Sequence, residues 1–381
     1  MSCLPWCTAP ACSCRLPAPG CSGSACSAPS PCGCSCTCTS GPTCRWCWAC
    51  GRATPAPRPG PATASSPSPG STSFSPCPSP SPWWRRRTST DVDAARSRSA
   101  APPDTVIASA RAGEPDRYLA ALLAPLPARG ALLALAAFSA EVSRVPLLAL
   151  REPTMGEIRL QWWRDQLALR VDEGRTGSPV ADALLAAVAE HALPREALLE
   201  LIEARSRELA GEPPADDAAL ELQLWRSEGI LFALAARTLA GDEVLPAAQA
   251  ASVAAGQAYG LARLLLTLPL ALARGRVPLP LARMEAAGVA RETLLAGSGS
   301  EATLRLLAGL HGAARARVLE ARRHVADLPR EYRPAFLPLA LVRSYLRAVE
   351  RRGRDVLRRP AGIAPATRVA RILLAHWLGR P

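Results

Sequence analysis

Lysine and asparagine are absent from all 381 residues, and aromatic side chains make up only 4% of them. Both missing residues have AT-rich codons, so their absence points to a GC-rich, bacterial-type coding sequence more than to a function. Every positive side chain outside histidine is therefore an arginine, which stays charged when buried. Cysteine is confined to the first 77 residues, where all 14 lie, so the remainder has no thiolate with which to bind metal. No acidic residue occurs between Glu243 and Glu285. Long apolar runs are also lacking. The longest uncharged stretch, Val244 to Ala262, is mostly Ala, Gly, Ser and Gln, and Leu264 to Ala273 is too short to span a bilayer. The expectation is a cytoplasmic protein, with peripheral contact at the cytoplasmic face of the inner membrane left open.

The net charge of +13 would suggest an acidic partner if it were spread evenly. It is not. Residues 1–103 hold nine arginines against two aspartates, whereas the rest holds 36 arginines against 30 acids. The near-balanced larger part gives no reason to expect nucleic acid. Residues 1–103 are rich in Pro, Ser, Gly and Cys and show no hydrophobic periodicity. Cys32-Gly-Cys-Ser-Cys-Thr-Cys38 and Cys44, Cys47, Cys50 have the spacing of thiolate metal ligands. Against that stand a low-complexity segment with too little apolar surface to order itself, and an upstream extension outside the true reading frame. The composition changes abruptly at Asp104, and a start near Val106 is expected.

From Asp104 onward the pattern is helical throughout, dominated by Ala, Leu, Arg and Glu, with Pro and Gly as punctuation and no strand alternation. Helices are predicted from Pro115, from Pro127 to Pro146 and from Pro153. Further ones are predicted at about 179–192, 194–210, 216–240, 245–274, 300–327, 334–351 and 365–378. Thr154 is read as the cap of the third, with Glu157 as its capping-box partner. These segments predict one all-α domain over 104–381 with a buried middle.

In the third helix Leu160, Trp163 and Leu167 fall on one face, with Glu157, Gln161 and Arg164 on the next. Trp162 and Trp163 read either as packing or as a wall for a long apolar ligand. Glu141 and Glu157 are the acids retained as pocket candidates. Asp165, Asp216, Asp217 and Glu228 read as capping or solvated. Arg117, Arg144, Arg159, Arg263, Arg274 and Arg276 are candidates for gripping an anionic headgroup directly. His191, His311, His324 and His376 show no ligand spacing.

Asp116-Arg-Tyr-Leu, Ala128 to Phe138, Gly156-Glu-Ile-Arg-Leu-Gln-Trp-Trp-Arg164 and Arg274-Gly-Arg-Val-Pro-Leu-Pro280 resemble the squalene/phytoene synthase family over roughly 110–375. The resemblance implies an all-α isoprenoid-synthase-like bundle with a central apolar cavity, and it adds Tyr118 and Tyr259, inside matched segments, to the ligand-binding candidates. Catalytic members condense two prenyl diphosphates and hold Mg²⁺ with aspartates on two facing helices, since Mg²⁺ needs hard carboxylate oxygens. The positions matching the first Asp-x-x-x-Asp are Ser143 and Leu147, with Arg144 beside them, and the second should fall in the acid-free stretch before Arg274. Gly256-x-Ala-x-Gly260 and Arg276-Val-x-Leu-Pro280 resemble a branch of complex I assembly factors that lacks the aspartates. That likeness implies no metal, no catalytic residue, and a respiratory complex I subunit or an isoprenoid or lipid as partner. An active prenyl transferase using Mg²⁺, or a simple lipid carrier, are the alternative readings.

Overall fold

A computed structural model describes residues 102–149, 152–168, 176–240 and 246–381. The expectations for the cysteine-rich segment lie outside the described residues. Among the described residues every regular element is helical. In order they are α1 (Asp104–Gly113), α2 (Pro115–Leu122), α3 (Leu126–Leu148), α4 (Pro153–Ala168), α5 (Pro179–Glu190) and α6 (Arg195–Ala210). Then come α7 (Asp217–Leu224), a π-turn (Trp225–Gly229), α8 (Ile230–Ala240), α9 (Pro246–Leu272), α10 (Leu281–Ala286), α11 (Arg291–Leu295) and α12 (Glu301–Ala326). A 3₁₀ turn (Arg330–Phe336), α13 (Leu339–Glu350), a second 3₁₀ turn (Gly353–Leu357) and α14 (Pro365–Leu378) complete the chain.

The punctuation explains most boundaries. Proline opens α2, α5 and α14, where its missing N–H costs nothing. The side chains of Ser178, Asp216 and Ser300 cap α5, α7 and α12, each accepting from a first-turn N–H. Some expectations needed correction. Thr154 lies inside α4 instead of capping it, and the Glu157 carboxylate accepts a hydrogen bond from Ser206 on α6. The helix expected to stop at Pro146 continues to Leu148. The segment read as one helix over 216–240 does run on without interruption, α7 and α8 being joined through the π-turn. Short α10 and α11, and α1 ahead of Pro115, carried too little periodicity to register.

Two buried clusters form the core. One gathers α9, α12 and α13, and the other gathers α3, α4, α5 and α6. Helices α2 and α8 belong to both: Ala120 and Phe232 face the first cluster, Ala121 and Leu231 the second. Helices α3 and α9 are long and apolar enough to cross a membrane, but both are mostly buried within the fold. They are its core helices.

Helix α9 is buried on all sides from Ala254 to Ala262. Its closest neighbour there is the π-turn. A Cβ on Gly256 would stand 2.3 Å from the Gly229 Cα and 2.5 Å from its nitrogen. One on Gly260 would stand 2.7 Å from the Leu224 side chain. Only glycine admits this approach, and it brings Glu228 of the π-turn beside Arg263 on the next turn of α9. Gly256→Ala should therefore destabilise by about 1–3 kcal/mol, because rigid backbone must move. Gly130→Ala, with open space around the new methyl, should be neutral or stabilising by up to about 1 kcal/mol. Urea unfolding of both variants checks the contrast; equal effects would refute the close approach.

Candidate functional site

Charged groups are buried where α2, the π-turn and α9 meet. Glu114, just before α2, and Glu228, in the π-turn, are 2% and 5% exposed. Arg117 bridges them, with Nη1 3.0 Å from Glu114 Oε2 and Nη2 2.9 Å from Glu228 Oε2. Arg263 Nη1 lies between the same two carboxylates, 2.7 Å from Glu114 Oε1 and 3.4 Å from Glu228 Oε1. Arg205 on α6 pairs with Glu208 at 2.8 Å and lies 3.8 Å from Glu228. Ser139 of α3 donates to Glu114 at 3.3 Å.

Burial alone would raise the Glu114 pKa. The Arg263 and Arg117 guanidiniums outweigh it and hold that pKa at about 2, against 4.5 unperturbed. The arginines gain in turn: burial disfavours the charged forms of Arg117 and Arg263, and their carboxylate partners more than compensate.

A second group joins through Tyr259. The Arg117 and Arg263 guanidiniums lie 5.1 and 5.7 Å from its ring centre. Its hydroxyl donates to Asp116 Oδ2 at 2.7 Å, and the Tyr345 hydroxyl donates to the same oxygen. Arg368 of α14 sits 2.7 Å from Asp116 Oδ1 as an ion pair whose N–H is not aligned for a hydrogen bond. Burial first, then the Asp116 charge, pushes the Tyr259 hydroxyl pKa well above its usual 10, so it stays a donor. Four carboxylates (Glu114, Asp116, Glu208, Glu228) thus meet four guanidiniums (Arg117, Arg205, Arg263, Arg368). The negative and positive charges are equal in number, and the cluster is neutral as a whole.

Alongside opens a cleft of about 320 Å³. Arg144, Arg205, Arg263, Arg274 and Arg276 line it together with Glu208, Glu212 and Glu228 and with the apolar Leu147, Leu220, Leu224, Leu264 and Leu270. Leu147 and Leu270 are half exposed. Arg276 also caps α6, donating to the Glu208 and Leu209 carbonyls at 2.5 and 2.9 Å.

The residues singled out from sequence divide into three groups. Arg117, Tyr259 and Arg263 meet in the buried charge cluster. Arg144, Arg274 and Arg276 line the cleft with Arg263. Tyr118, Glu141, Glu157, Gln161 and Trp162 are not among the residues lining it. Tyr118 and Trp162 pack half-buried on the α3–α6 core, where Trp162 meets Trp163 edge-on at 5.0 Å. Gln161 is exposed and bonded to Asp165 and Arg164, and Glu157 is shared by Ser206 and Arg164. Burial raises the Glu141 pKa, offset in part by Arg159 and Arg144.

Glu228, read from sequence as capping or solvated, is buried in the cluster, and Glu114, Asp116, Arg205, Tyr345 and Arg368 were not singled out. Arg205 did leave a trace, since it falls on the inward stripe Leu198, Leu201, Ile202, Leu209 of α6, where a charge must have a partner.

The arrangement does not fit a magnesium clamp. Glu114 and Glu228 do approach from facing elements, but a guanidinium nitrogen of Arg263 already bridges them. Ser143, Arg144 and Leu147 line the neighbouring wall. Among the described residues no group of three or more His, Cys, Asp or Glu side chains could hold a metal ion.

Residues 110–367 match the family model described as squalene/phytoene synthase, and the chain belongs to that family. Among curated relatives it is 28% identical over 241 residues to the Mus musculus protein "NADH dehydrogenase (ubiquinone) complex I, assembly factor 6", covering 63% of this chain and 72% of that protein. The Homo sapiens protein of that name is 27% identical over 239 residues, covering 63% and 71%. Among solved structures, a dehydrosqualene synthase in complex with ligand aligns with a TM-score of 0.62 at 17% identity, covering 75% of this chain and 97% of that one. Squalene synthase HpnC from Alicyclobacillus acidocaldarius gives 0.54 at 21%, covering 68% and 95%. The fold is therefore that of the isoprenoid synthases.

Because the Glu114 pKa is lowered, its contribution to stability is complete above 4.5 and is lost as pH falls toward 2. Wild-type unfolding free energy should drop over that window by about 3 kcal/mol more than that of Glu114→Gln. At neutral pH the variant itself should be destabilised by about 3–5 kcal/mol, since it leaves buried guanidinium charge unmatched. Urea titrations from pH 7 to pH 2 make the test; parallel curves would refute the assignment.

Proposed function

We propose that this chain is a non-catalytic member of its family that acts in respiratory complex I assembly and holds an acidic amphiphile, an isoprenoid or a lipid, in its cleft without metal. The observation carrying this reading is Arg263 Nη1, seated between Glu114 and Glu228. In a catalytic relative a divalent cation neutralises the leaving diphosphate and is itself held by carboxylates. In this chain the opposed carboxylates are consumed internally by guanidiniums. Ser143 and Leu147 stand where the resemblance calls for the first aspartate pair, and Arg144 beside them disfavours a second cation.

Arg144 and Arg274 are the groups free to meet an anionic headgroup, each through paired N–H donors that need no metal. Leu147, Leu264 and Leu270 offer the apolar contact for a hydrocarbon chain. Arg276 holds the C-terminal end of α6 in place and so shapes the basic wall. The names of the curated relatives support the assembly role, for which a subunit of complex I is the partner and the cytoplasmic face of the inner membrane the place of action.

Purified protein incubated with farnesyl diphosphate and Mg²⁺ should release no pyrophosphate. Binding of that ligand should be the same with Mg²⁺ or with EDTA, and about tenfold weaker in Arg144→Ala/Arg274→Ala. Pyrophosphate release would instead establish a working prenyl transferase. In a deletion strain, membrane NADH–quinone activity should fall while succinate oxidation stays constant; unchanged NADH activity would remove the assembly role.

A further inference from the structure

Helix α14 is apolar on the wrong side. Its inner face is narrow: Ile372 and Ala375 are buried, and Arg368 ties the helix to Asp116 on α2. At 100° per residue the side opposite that strip carries Leu373, Leu374 and Trp377, flanked by Val369 and Leu378. These five are 39–82% exposed, and Trp377 is the most exposed of them at 82%. A solvent-facing helix ordinarily presents polar residues there. This one puts its polar residues at the borders, with Arg371 and, just past the helix, Arg380, both exposed. Of the five arginines from Val356 to Pro381, Arg359 and Arg368 pair with Asp355 and Asp116, while Arg371 and Arg380 make no ion pair among the described residues.

We propose that the outer face of α14 docks on an anionic lipid surface, with the helix lying in the plane of the interface. An apolar stripe supplies the buried area, and a tryptophan suits the headgroup boundary. Arg371 and Arg380, which have no ion-pair partner among the described residues, complement lipid phosphate. That charge pattern selects an anionic bilayer over a second copy of this chain, whose α14 would bring the same positive charge. Inner-face anchoring through Ile372, Ala375 and the Arg368–Asp116 pair leaves the docking face free of structural duty, so it can be changed without unfolding the protein. The proposal concerns a surface and does not depend on what the cleft holds.

The test is flotation of the full chain with vesicles of pure phosphatidylcholine or of phosphatidylcholine containing phosphatidylglycerol, with the oligomeric state measured in parallel by light scattering. The chain should float with the anionic vesicles only. Leu373→Ser/Leu374→Ser/Trp377→Ser should weaken partition roughly a hundredfold, and Arg371→Glu/Arg380→Glu roughly tenfold. Helical circular dichroism and Tm should be unchanged in both, and pyrophosphate-release and ligand-binding assays should match wild type. Equal flotation on neutral vesicles, no flotation at all, or flotation indifferent to the triple substitution would overturn the proposal. A wild-type dimer that the triple substitution converts to monomer, with no vesicle binding, would assign the face to a second copy and overturn it too.

Discussion

A charge moved from water into a packed helical core is tolerated only when an opposite charge and hydrogen bonds go with it. At the junction of α2, the π-turn and α9 this requirement is met by interlocking. Glu114 and Glu228 are each held by both Arg117 and Arg263, and Arg205, which also approaches Glu228, is balanced by Glu208. Removing any one member leaves another unmatched, so the group behaves as a unit. Arginine suits the role because its planar fork spans two carboxylates at once and does not lose its proton on burial. In a chain with no lysine it is also the only strong base at hand.

This interlock depends on backbone geometry some distance away. The π-turn displaces Glu228 from the register of a continuous helix, and glycines at 256 and 260 let α9 close on it. One turn later Arg263 arrives between the two carboxylates. Packing and electrostatics are therefore not separable here. The same close approach that completes the core also places the Arg263 guanidinium between two buried carboxylates.

For function, the consequence is a division of labour among positive charges. Arg117, Arg205 and Arg263 are committed to carboxylates inside the protein, and Arg276 to the end of α6. Arg144 and Arg274 remain on the cleft wall, which apolar side chains also line. Arg368, the one cluster member on α14, secures that helix by its inner side and leaves its apolar outer side to solvent.

The sequence by itself determined the fold class and most of the helices, because a 3.6-residue apolar period and proline punctuation are local properties. Leu160, Trp163 and Leu167 were legible as an inward face and are buried. It also fixed the family, whose matched segments span 110–367. What the local pattern did not carry was partnership. Glu228 looks like any surface acid until α9 is laid against it, and Glu114 and Arg263 are 149 residues apart in the chain. Conversely, Trp162 and Gln161 stand in a distinctive motif yet point to core packing and to solvent. Tertiary structure alone decided which charges are spent inside the molecule and which line the open cleft, because the cost of burying a charge depends on what surrounds it in space, and sequence separation says nothing of that.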